Sequence, residues 1–344
     1  MRKTIISLVT VAMSLAAATS HADGEVNLYS YRQPFLIEPM LDEFTNQTGT
    51  KVNVVFAKKG MIEKIKAAGD NNPADAVLTV DIGRLDALHK AGLLEGVDSA
   101  VLNEAIPANL RHPDGLWFGL TTRARLALTS KDRVKQGELE TLADLADPKF
   151  KGRICTRSGK HVYNVALIAS VIAHEGEEAA EQWLAGVRDN LARKPQGNDR
   201  AQAKGIYEGV CDVAISNHYY MGKMATNEKK PEQKDWAKAV NVQFLDQNGR
   251  GNHVNISGAA VIKGAKNRDS AVALLEFLAG DKAQNMYATV NFEFPVKDGI
   301  KTHELVESWG SFKADTLSLE EIASHRTTAT KLVDKTGFDA GPTS

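Results

Sequence analysis

Short apolar runs and amphipathic runs alternate along the chain from residue 26 onward. Residues 26–31 and 51–56 are rich in β-branched and aromatic side chains, and residues 76–80 are continuously apolar, which predicts three strands. Between them, residues 37–44 and 60–68 carry apolar side chains at helical spacing. Strands that alternate with helices are typical of α/β proteins, so we predict mainly parallel sheets flanked by helices.

The pattern changes at residues 117–128, which form one long extended run suited to crossing between two domains. A second α/β unit follows from residue 142 to about 240, in which residues 227–236, rich in Lys and Glu, are predicted to be an exposed loop. The apolar run 255–262 predicts a strand that returns to the first unit. We therefore predict a hinged binding protein, with ligands bound where strands end and helix N-termini point inward.

The N-terminal region has the features of a cleaved secretory signal peptide. Two basic residues precede an apolar stretch over residues 4–18, and small side chains at Ser20 and Ala22 mark a cleavage site. The stretch is too short for a stable membrane anchor, although an uncleaved anchor helix is the alternative. We therefore predict that residues 1–22 are removed on export and that the mature protein is soluble and outside the cytoplasm.

The predicted domain boundaries follow from the extended crossing segments. Lobe 1 is predicted to contain residues 23–121 and about 250–298. Lobe 2 is predicted to contain about 122–249 and 299–344.

Charge and cysteine content narrow the classes of function. The 42 basic and 43 acidic residues nearly balance, which argues against nucleic acid or a membrane surface as a partner. Cys155 and Cys211 have no CxxC spacing, so they give no zinc or redox motif. In an exported chain they form either one disulfide or two separate buried thiols.

The dipeptide Tyr219-Tyr220 is the strongest candidate for chemistry, because the chain has only 7 tyrosines. A predicted strand at 213–216 ends just before it, and Asn217 can cap a following helix. On the first turn of a helix two neighbouring side chains are about 100° apart and can converge on one ion. Phenolate is a hard oxygen ligand that suits Fe(III), and the alternative is one tyrosine in the core and the other on the surface.

Arg123 and Arg125 are candidates for holding an anion beside such an ion. They lie two residues apart on the extended segment, hence on one face, and a guanidinium pairs with a carboxylate-like anion through two hydrogen bonds. An interlobe salt bridge is the alternative for either of them.

Nine segments of the mature sequence together carry a resemblance to a known family. The chain resembles the periplasmic ferric-iron-binding proteins, the substrate-binding components of iron(III) ABC importers, which fold as two type II-like lobes that close on Fe(III). The matching segments are residues 29–34, 73–75, 79–81, 117–125, 157–164, 192–197, 217–220, 253–258 and 291–296.

The resemblance implies a ligand set for iron. It makes Tyr163, Tyr219 and Tyr220 the metal ligands, and Arg123 the residue that holds a synergistic anion, which we expect to be carbonate. Gln33 and Tyr31 are implied to line the same cleft, with direct contact between Tyr31 and iron left open.

Three positions depart from the pattern of other family members. Some relatives add a histidine ligand, or a His-Tyr pair, from the first loop. This chain has Gln33 and Pro34 at the corresponding positions. Val80 takes the place of a glutamate ligand that other members carry. Both departures imply the subgroup in which three tyrosines of the second lobe and an anion bind the iron.

The resemblance also implies partners and excludes turnover. The protein is expected to act as a monomer that delivers iron to an inner-membrane permease and its ATPase, without an enzymatic step. From the residues alone two alternatives stay open: a two-lobe binding protein for another anion, held by Arg123 and Arg125, and an exported metal-dependent hydrolase. The hydrolase needs a general base, and the sequence offers no convincing one.

Overall fold

The computed structural model of the protein describes residues 24–57 and 59–343, so the predicted signal peptide at residues 1–22 lies outside the described part. Within that part the chain forms ten strands and fourteen α-helices. The strands are β1 (Glu25–Ser30), β2 (Lys51–Phe56), β3 (Ala76–Thr79), β4 (Leu94–Glu95), β5 (Phe118–Ser130), β6 (Ile154–Cys155), β7 (Val213–Asn217), β8 (Val240–Gln243), β9 (Val254–Ile262) and β10 (Phe294–Pro295). The helices are α1 (Pro34–Thr48), α2 (Met61–Ala68), α3 (Ile82–Lys90), α4 (Ala100–Ala105), α5 (Val162–Glu175), α6 (Glu177–Asp189), α7 (Asp199–Tyr207), α8 (Tyr219–Ala225), α9 (Glu232–Lys238), α10 (Arg268–Ala279), α11 (Asp281–Asn291), α12 (Glu304–Glu307), α13 (Leu319–Ser324) and α14 (Arg326–Lys335).

Two long strands, β5 and β9, join the halves of the molecule. The strand order is β2-β1-β3-β9-β5-β7-β6. We call the half built on β1, β2 and β3 the first lobe and the half built on β6, β7 and β8 the second lobe. Along its first half β5 pairs with β9, and from Arg125 onward it pairs with β7 and β8. The protein therefore has the predicted two-lobe α/β architecture, with extended strands between the lobes.

The sheets are parallel only outside these crossing strands. β1 pairs in parallel with β2 and β3, and β6 pairs in parallel with β7. β9 runs antiparallel to β3 and β5, and β5 runs antiparallel to β7. The crossing strands β5 and β9 are thus antiparallel to the strands of each lobe with which they pair, so each lobe has a mixed sheet.

Local chemistry explains where several elements begin and end. Asp81 caps α3, since its Oδ1 accepts a hydrogen bond from the backbone N–H of Gly83 at 2.9 Å. Gly49 ends α1 in the left-handed conformation, with φ 72°. The prediction of an exposed loop at residues 227–236 is wrong for its second half, because α9 begins at Glu232. Gln233 and Ala237 of α9 are buried, so this segment is a short amphipathic helix. Its many charged residues led to the prediction of a loop.

Cys155 and Cys211 form a disulfide, which resolves the two alternatives left by the sequence. Both residues are buried, and 56 positions separate them along the chain. On chain-entropy grounds a loop of that size stabilises the folded state by roughly 4 kcal/mol. The bond connects β6, which precedes Tyr163, to the turn before β7, which precedes Tyr219.

The C-terminal helices connect the lobes at a second place. α14 packs on α5 and α6 of the second lobe, while α13 packs on α3 of the first lobe. Arg326, the first residue of α14, forms an ion pair with Asp81 at 3.1 Å. A Cβ atom at Gly83 would lie 1.9 Å from the Arg326 Nε atom, so the absence of a side chain there makes room for the guanidinium.

Candidate metal centre

A cleft of about 650 Å³ lies between the lobes at the carboxyl ends of β1, β3 and β7. Its position agrees with the general rule for ligand sites in α/β lobes. All six residues predicted for the site line it. They are Tyr31, Gln33, Arg123, Tyr163, Tyr219 and Tyr220.

The three predicted tyrosine ligands come together on the second-lobe side of the cleft. Tyr163 is the second residue of α5, and Tyr219 and Tyr220 are the first two residues of α8. The Tyr163 and Tyr219 hydroxyl oxygens are 3.3 Å apart. The ring centroids of Tyr219 and Tyr220 are 4.4 Å apart, with 31° between the ring planes. Three phenol groups therefore converge from two segments that are 56 residues apart in sequence.

The start of α8 differs from the prediction in its capping. Asn217 does not cap the helix, because it is the last residue of β7 and its side-chain oxygen accepts a hydrogen bond from Arg125 at 2.9 Å. His218 occupies the N-cap position in a helical conformation, without a side-chain cap. Phe292 packs against the next turn of the helix at Gly222. A Cβ atom added at Gly222 would lie 2.3 Å from the Phe292 ring.

Burial keeps the hydroxyls of Tyr219 and Tyr220 protonated in the absence of an ion. Burial, followed by the proximity of Tyr163, raises the pKa of Tyr219 well above its ordinary value and also raises the pKa of Tyr220. Neighbouring phenols oppose each other's ionisation, because two adjacent negative charges repel. A cation that binds here must therefore displace protons, which a small and highly charged ion does most effectively.

Guanidinium groups lie close to the ring of Tyr163. The guanidinium carbons of Arg123, Arg125 and Arg157 are 5.5, 5.8 and 5.3 Å from the ring centroid. The three guanidinium groups therefore place positive charge beside this ring.

The two predicted anion-binding arginines have different environments. Arg125 is buried inside the second lobe, where it pairs with Asp199 at 3.3 Å and donates to Asn164 at 2.6 Å. Arg123 lines the cleft and donates through Nη2 to the backbone carbonyl oxygens of Val80 and Ile256. Its Nε atom is buried and has no hydrogen-bond partner among the described residues. Of these two arginines, only Arg123 lines the cleft.

The first lobe contributes polar but sparse groups to the cleft. Tyr31 lies under the guanidinium of Arg84, with 4.2 Å between the guanidinium carbon and the ring centroid, and burial raises the pKa of Tyr31. Gln33 is exposed at the residue before α1. Val80 also lines the cleft and offers its backbone carbonyl to Arg123.

Sequence reasoning missed several charged residues that line the cleft, although some of them lie in segments that it singled out. They are Arg32, Arg84, Arg157, Arg200, Lys223 and Glu293. Arg84 and Arg200 each occupy the first turn of a helix at the cleft, a place where ligand-binding side chains are common, and that position was the available signal.

His161 also lines the cleft, next to Tyr163. Its Nδ1 accepts the backbone N–H of Tyr163 at 3.3 Å and so caps α5. Burial, reinforced by Arg157, lowers the pKa of His161 to about 3, so the imidazole is neutral. Within residues 24–57 and 59–343 no group of three His, Cys, Asp or Glu side chains could hold a metal, which leaves the tyrosines as the clustered donors.

Comparisons with known proteins agree with this fold and this cleft. Residues 71–311 match the family described as bacterial extracellular solute-binding proteins. Iron uptake protein A1 of Synechocystis sp. is 43% identical over 323 residues, which cover 94% of this chain and 89% of that protein. The solved apo ferric ion-binding protein A of Pasteurella haemolytica is 50% identical, with a TM-score of 0.87 over 92% of this chain and 99% of that one. A Trichodesmium protein, IdiA (FutA), solved in complex with iron and citrate, is 42% identical, with a TM-score of 0.87 over 92% of this chain and 100% of that one.

The fold and the cleft define a two-lobe solute-binding protein, and the chain belongs to the family of bacterial extracellular solute-binding proteins. Its similar relatives include iron uptake and ferric-iron-binding proteins. The resemblance inferred from the nine sequence segments is thereby confirmed.

Proposed function

We propose that this protein captures Fe(III) in the periplasm together with a synergistic anion, carbonate, and delivers it to an inner-membrane ABC permease and its ATPase. The convergence of Tyr163, Tyr219 and Tyr220 on one point of the cleft is the observation that carries the proposal. Binding and delivery as a monomer, without chemical turnover, agree with relatives that are solute-binding and iron uptake proteins.

The charges of the donor set suit a trivalent ion. Three phenolates neutralise Fe(III) and occupy three of its six octahedral positions. A carbonate that binds through two oxygens would occupy two more, and Arg123, which lines the cleft, is the residue that we propose to hold it. Neither Pro34 nor Val80 has a side-chain donor, so we propose that the first lobe gives the ion little direct coordination.

We propose that the lobes divide as the sequence predicts, with residues 23–121 and about 250–298 in lobe 1 and about 122–249 and 299–344 in lobe 2. The change of partner along β5, from β9 at Ala124 to β7 at Arg125, supports a boundary close to residue 121. The cleft lies beside this change, so rotation about β5 and β9 would open or close it.

Cleavage of residues 1–22 and export to the periplasm also belong to the proposal. In the described part of the chain, none of the helices combines the length and the apolar character needed to span a bilayer. The disulfide is consistent with an oxidising compartment.

Titration of the iron-free protein with Fe(III) tests the proposal directly. Charge transfer from phenolate to Fe(III) is expected to give a visible absorption band that saturates at one ion per protein and depends on bicarbonate. A colourless protein that binds some other anion tightly would favour the alternative two-lobe anion carrier. Turnover of an ester or phosphoester would instead favour the exported hydrolase.

Acid is expected to release the ion. Tyr219 and Tyr220 have raised pKa values, so both are protonated in the iron-free protein at neutral pH and each must lose a proton on binding. The two protons displaced from Tyr219 and Tyr220 lower the apparent affinity by at least about 100-fold for each unit of pH decrease. Competition against a chelator between neutral and mildly acidic pH measures the slope, and a flat profile would contradict phenolate ligation.

Arg123 and Arg125 are expected to respond differently to replacement. Arg123→Gln removes a guanidinium that lines the cleft and should weaken the dependence of iron binding on bicarbonate by roughly 10-fold or more. Arg125→Gln instead removes one of the two arginines that pair with the fully buried Asp199, and only Arg157 remains. It should therefore lower the thermal unfolding midpoint more than Arg123→Gln does. An unchanged bicarbonate dependence in Arg123→Gln would place the anion elsewhere.

A further inference from the structure

We propose that a second cavity, on the side of α8 opposite to the cleft, binds a small organic anion with an apolar ring, and that its occupancy strengthens iron binding. The cavity has a volume of about 480 Å³. Pockets of about 300–1,000 Å³ are typical of sites for small organic molecules. The binding of the anion is independent of the proposed Fe(III) site, and only the effect on iron rests on that proposal.

The helix α8 has one face in each cavity. Tyr219, Tyr220 and Lys223 line the cleft, whereas Met221 and Ala225 line the second cavity. At about 100° per residue, the first three side chains lie on one side of the helix and the other two lie on the opposite side. A ligand in the second cavity would therefore contact the helix that carries two of the three tyrosines.

Much of the lining of the second cavity is apolar. Met221, Ala237 and Val240 are buried side chains at its base. Leu305 and Trp309 are half-buried and extend the apolar surface. An apolar ring gains free energy when it leaves water for such a surface, and the indole of Trp309 offers it a flat partner for stacking.

In the part of the chain that the structure describes, the charged side chains that line this cavity are all basic. They are Lys131, Lys234 and Lys238. Lys234 pairs with Glu228, and Lys238 lies 3.8 Å from Asp235, but these two carboxylates are 82% and 58% exposed. Exposed pairs contribute little, so the carboxylate of a ligand that rests on the apolar base can compete for the ammonium groups. An apolar ring with one carboxylate therefore complements the cavity.

Two residues of the lining also pack against the tyrosine site. Leu305 and Trp309 contact the small buried cluster that contains Tyr219. The Trp309 ring meets the ring of His218, the residue before α8, with 6.4 Å between the centroids and 83° between the planes. A ligand held against these side chains restricts the movement of α8, so less conformational entropy is lost when the ion orders the tyrosines. Occupancy of the second cavity is therefore expected to raise the affinity for iron.

The test uses cinnamate as the anionic probe and cinnamyl alcohol, which has the same apolar part without the charge, as the neutral probe. Calorimetric titration of the iron-free protein is expected to show one site, with a Kd at least about 5-fold lower for cinnamate than for the alcohol. The double variant K131Q/K238Q should lose most of this preference and keep its binding of the alcohol. Lys282→Gln, which changes an exposed lysine of α11 beside Glu43, is the matched control and should keep the preference.

A variant that fills the cavity separates the apolar contribution from the charge. Ala225→Phe places a ring where the ligand would lie, so it should abolish the binding of both probes. Thermal melting confirms that each variant is folded, and the lysine variant carries the test alone if Ala225→Phe unfolds. No saturable binding of cinnamate, equal Kd values for the two probes, or an unchanged preference in K131Q/K238Q would overturn the proposed site.

The effect on iron is measured as the ratio of the cinnamate Kd in the iron-free and the iron-loaded protein. By linkage, a probe that raises the affinity for iron must bind the iron-loaded protein more tightly by the same factor, which we expect to be about 5-fold. Equal Kd values in the two forms would overturn the effect on iron. Cinnamate binding with the expected preference, in a protein that takes up no iron, would support the second cavity and reject the proposed Fe(III) function.

Discussion

Tyr220→Phe is expected to weaken Fe(III) binding by about 100-fold and to reduce or remove the visible absorption band. The substitution keeps the ring and its 4.4 Å stacking on Tyr219, and it removes only the oxygen that would bind the ion. Metal sites with four protein ligands are worth about 10–16 kcal/mol, so one ligand contributes roughly 3 kcal/mol. Spectral titration against a competing chelator gives both quantities in one experiment.

Tyr207→Phe is the matched control for this prediction. Tyr207 is at the end of α7, its side chain is 51% exposed, and it does not line the cleft. The same loss of one hydroxyl there should leave the band and the affinity unchanged. If Tyr220→Phe retained the wild-type affinity and band, the three-tyrosine assignment would be wrong.

Glu293→Gln is expected to destabilise the iron-free protein by about 3–5 kcal/mol, because it leaves the Arg32 guanidinium buried without a counter-charge. The side chains of Arg32 and Glu293 are 1% and 3% exposed, and their ion pair is 2.7 Å long. Glu293 also accepts a hydrogen bond from Thr121 of β5, and Arg32 donates to Ser257 of β9. The pair therefore links the β1–α1 loop to both strands that cross between the lobes.

The midpoint of urea unfolding measures this effect. Glu208→Gln breaks a pair between exposed side chains, Lys204 and Glu208, and should change the midpoint little. The double variant R32Q/E293Q should be no less stable than E293Q alone, since it no longer contains an uncompensated buried charge. A midpoint for E293Q equal to that of the wild type would show that Arg32 finds another partner or water.

The tyrosine site could be predicted because its residues carry an unusual local signal. Tyr219 and Tyr220 are adjacent at a strand-to-helix junction, and Tyr163 lies in a segment that resembles the ferric-iron-binding family. The structure brings Tyr163 and Tyr219 together across 56 residues, and no local pattern encodes that contact.

The surroundings of the site were less predictable because they depend on long-range partners. Asn217 has the chemistry of a helix cap, yet Arg125 on the neighbouring strand takes its side-chain oxygen. Arg123 and Arg125 share a strand face, yet Arg125 forms an ion pair inside the second lobe because Asp199 is buried beside it. Arg84 and Arg200 become notable only when the structure shows that both line the cleft.

The strands between the lobes and the ion pair between Arg326 and Asp81 have a joint consequence for closure. β5 and β9 hold the lobes at one place, and Arg326 on α14 holds them at another. A body fixed at two separate places can turn only about the line that joins them. The two connections therefore restrict how the lobes can rotate relative to each other, which lowers the orientational entropy that an approach of the two walls would cost. More of the interaction free energy of the cargo is then retained as affinity.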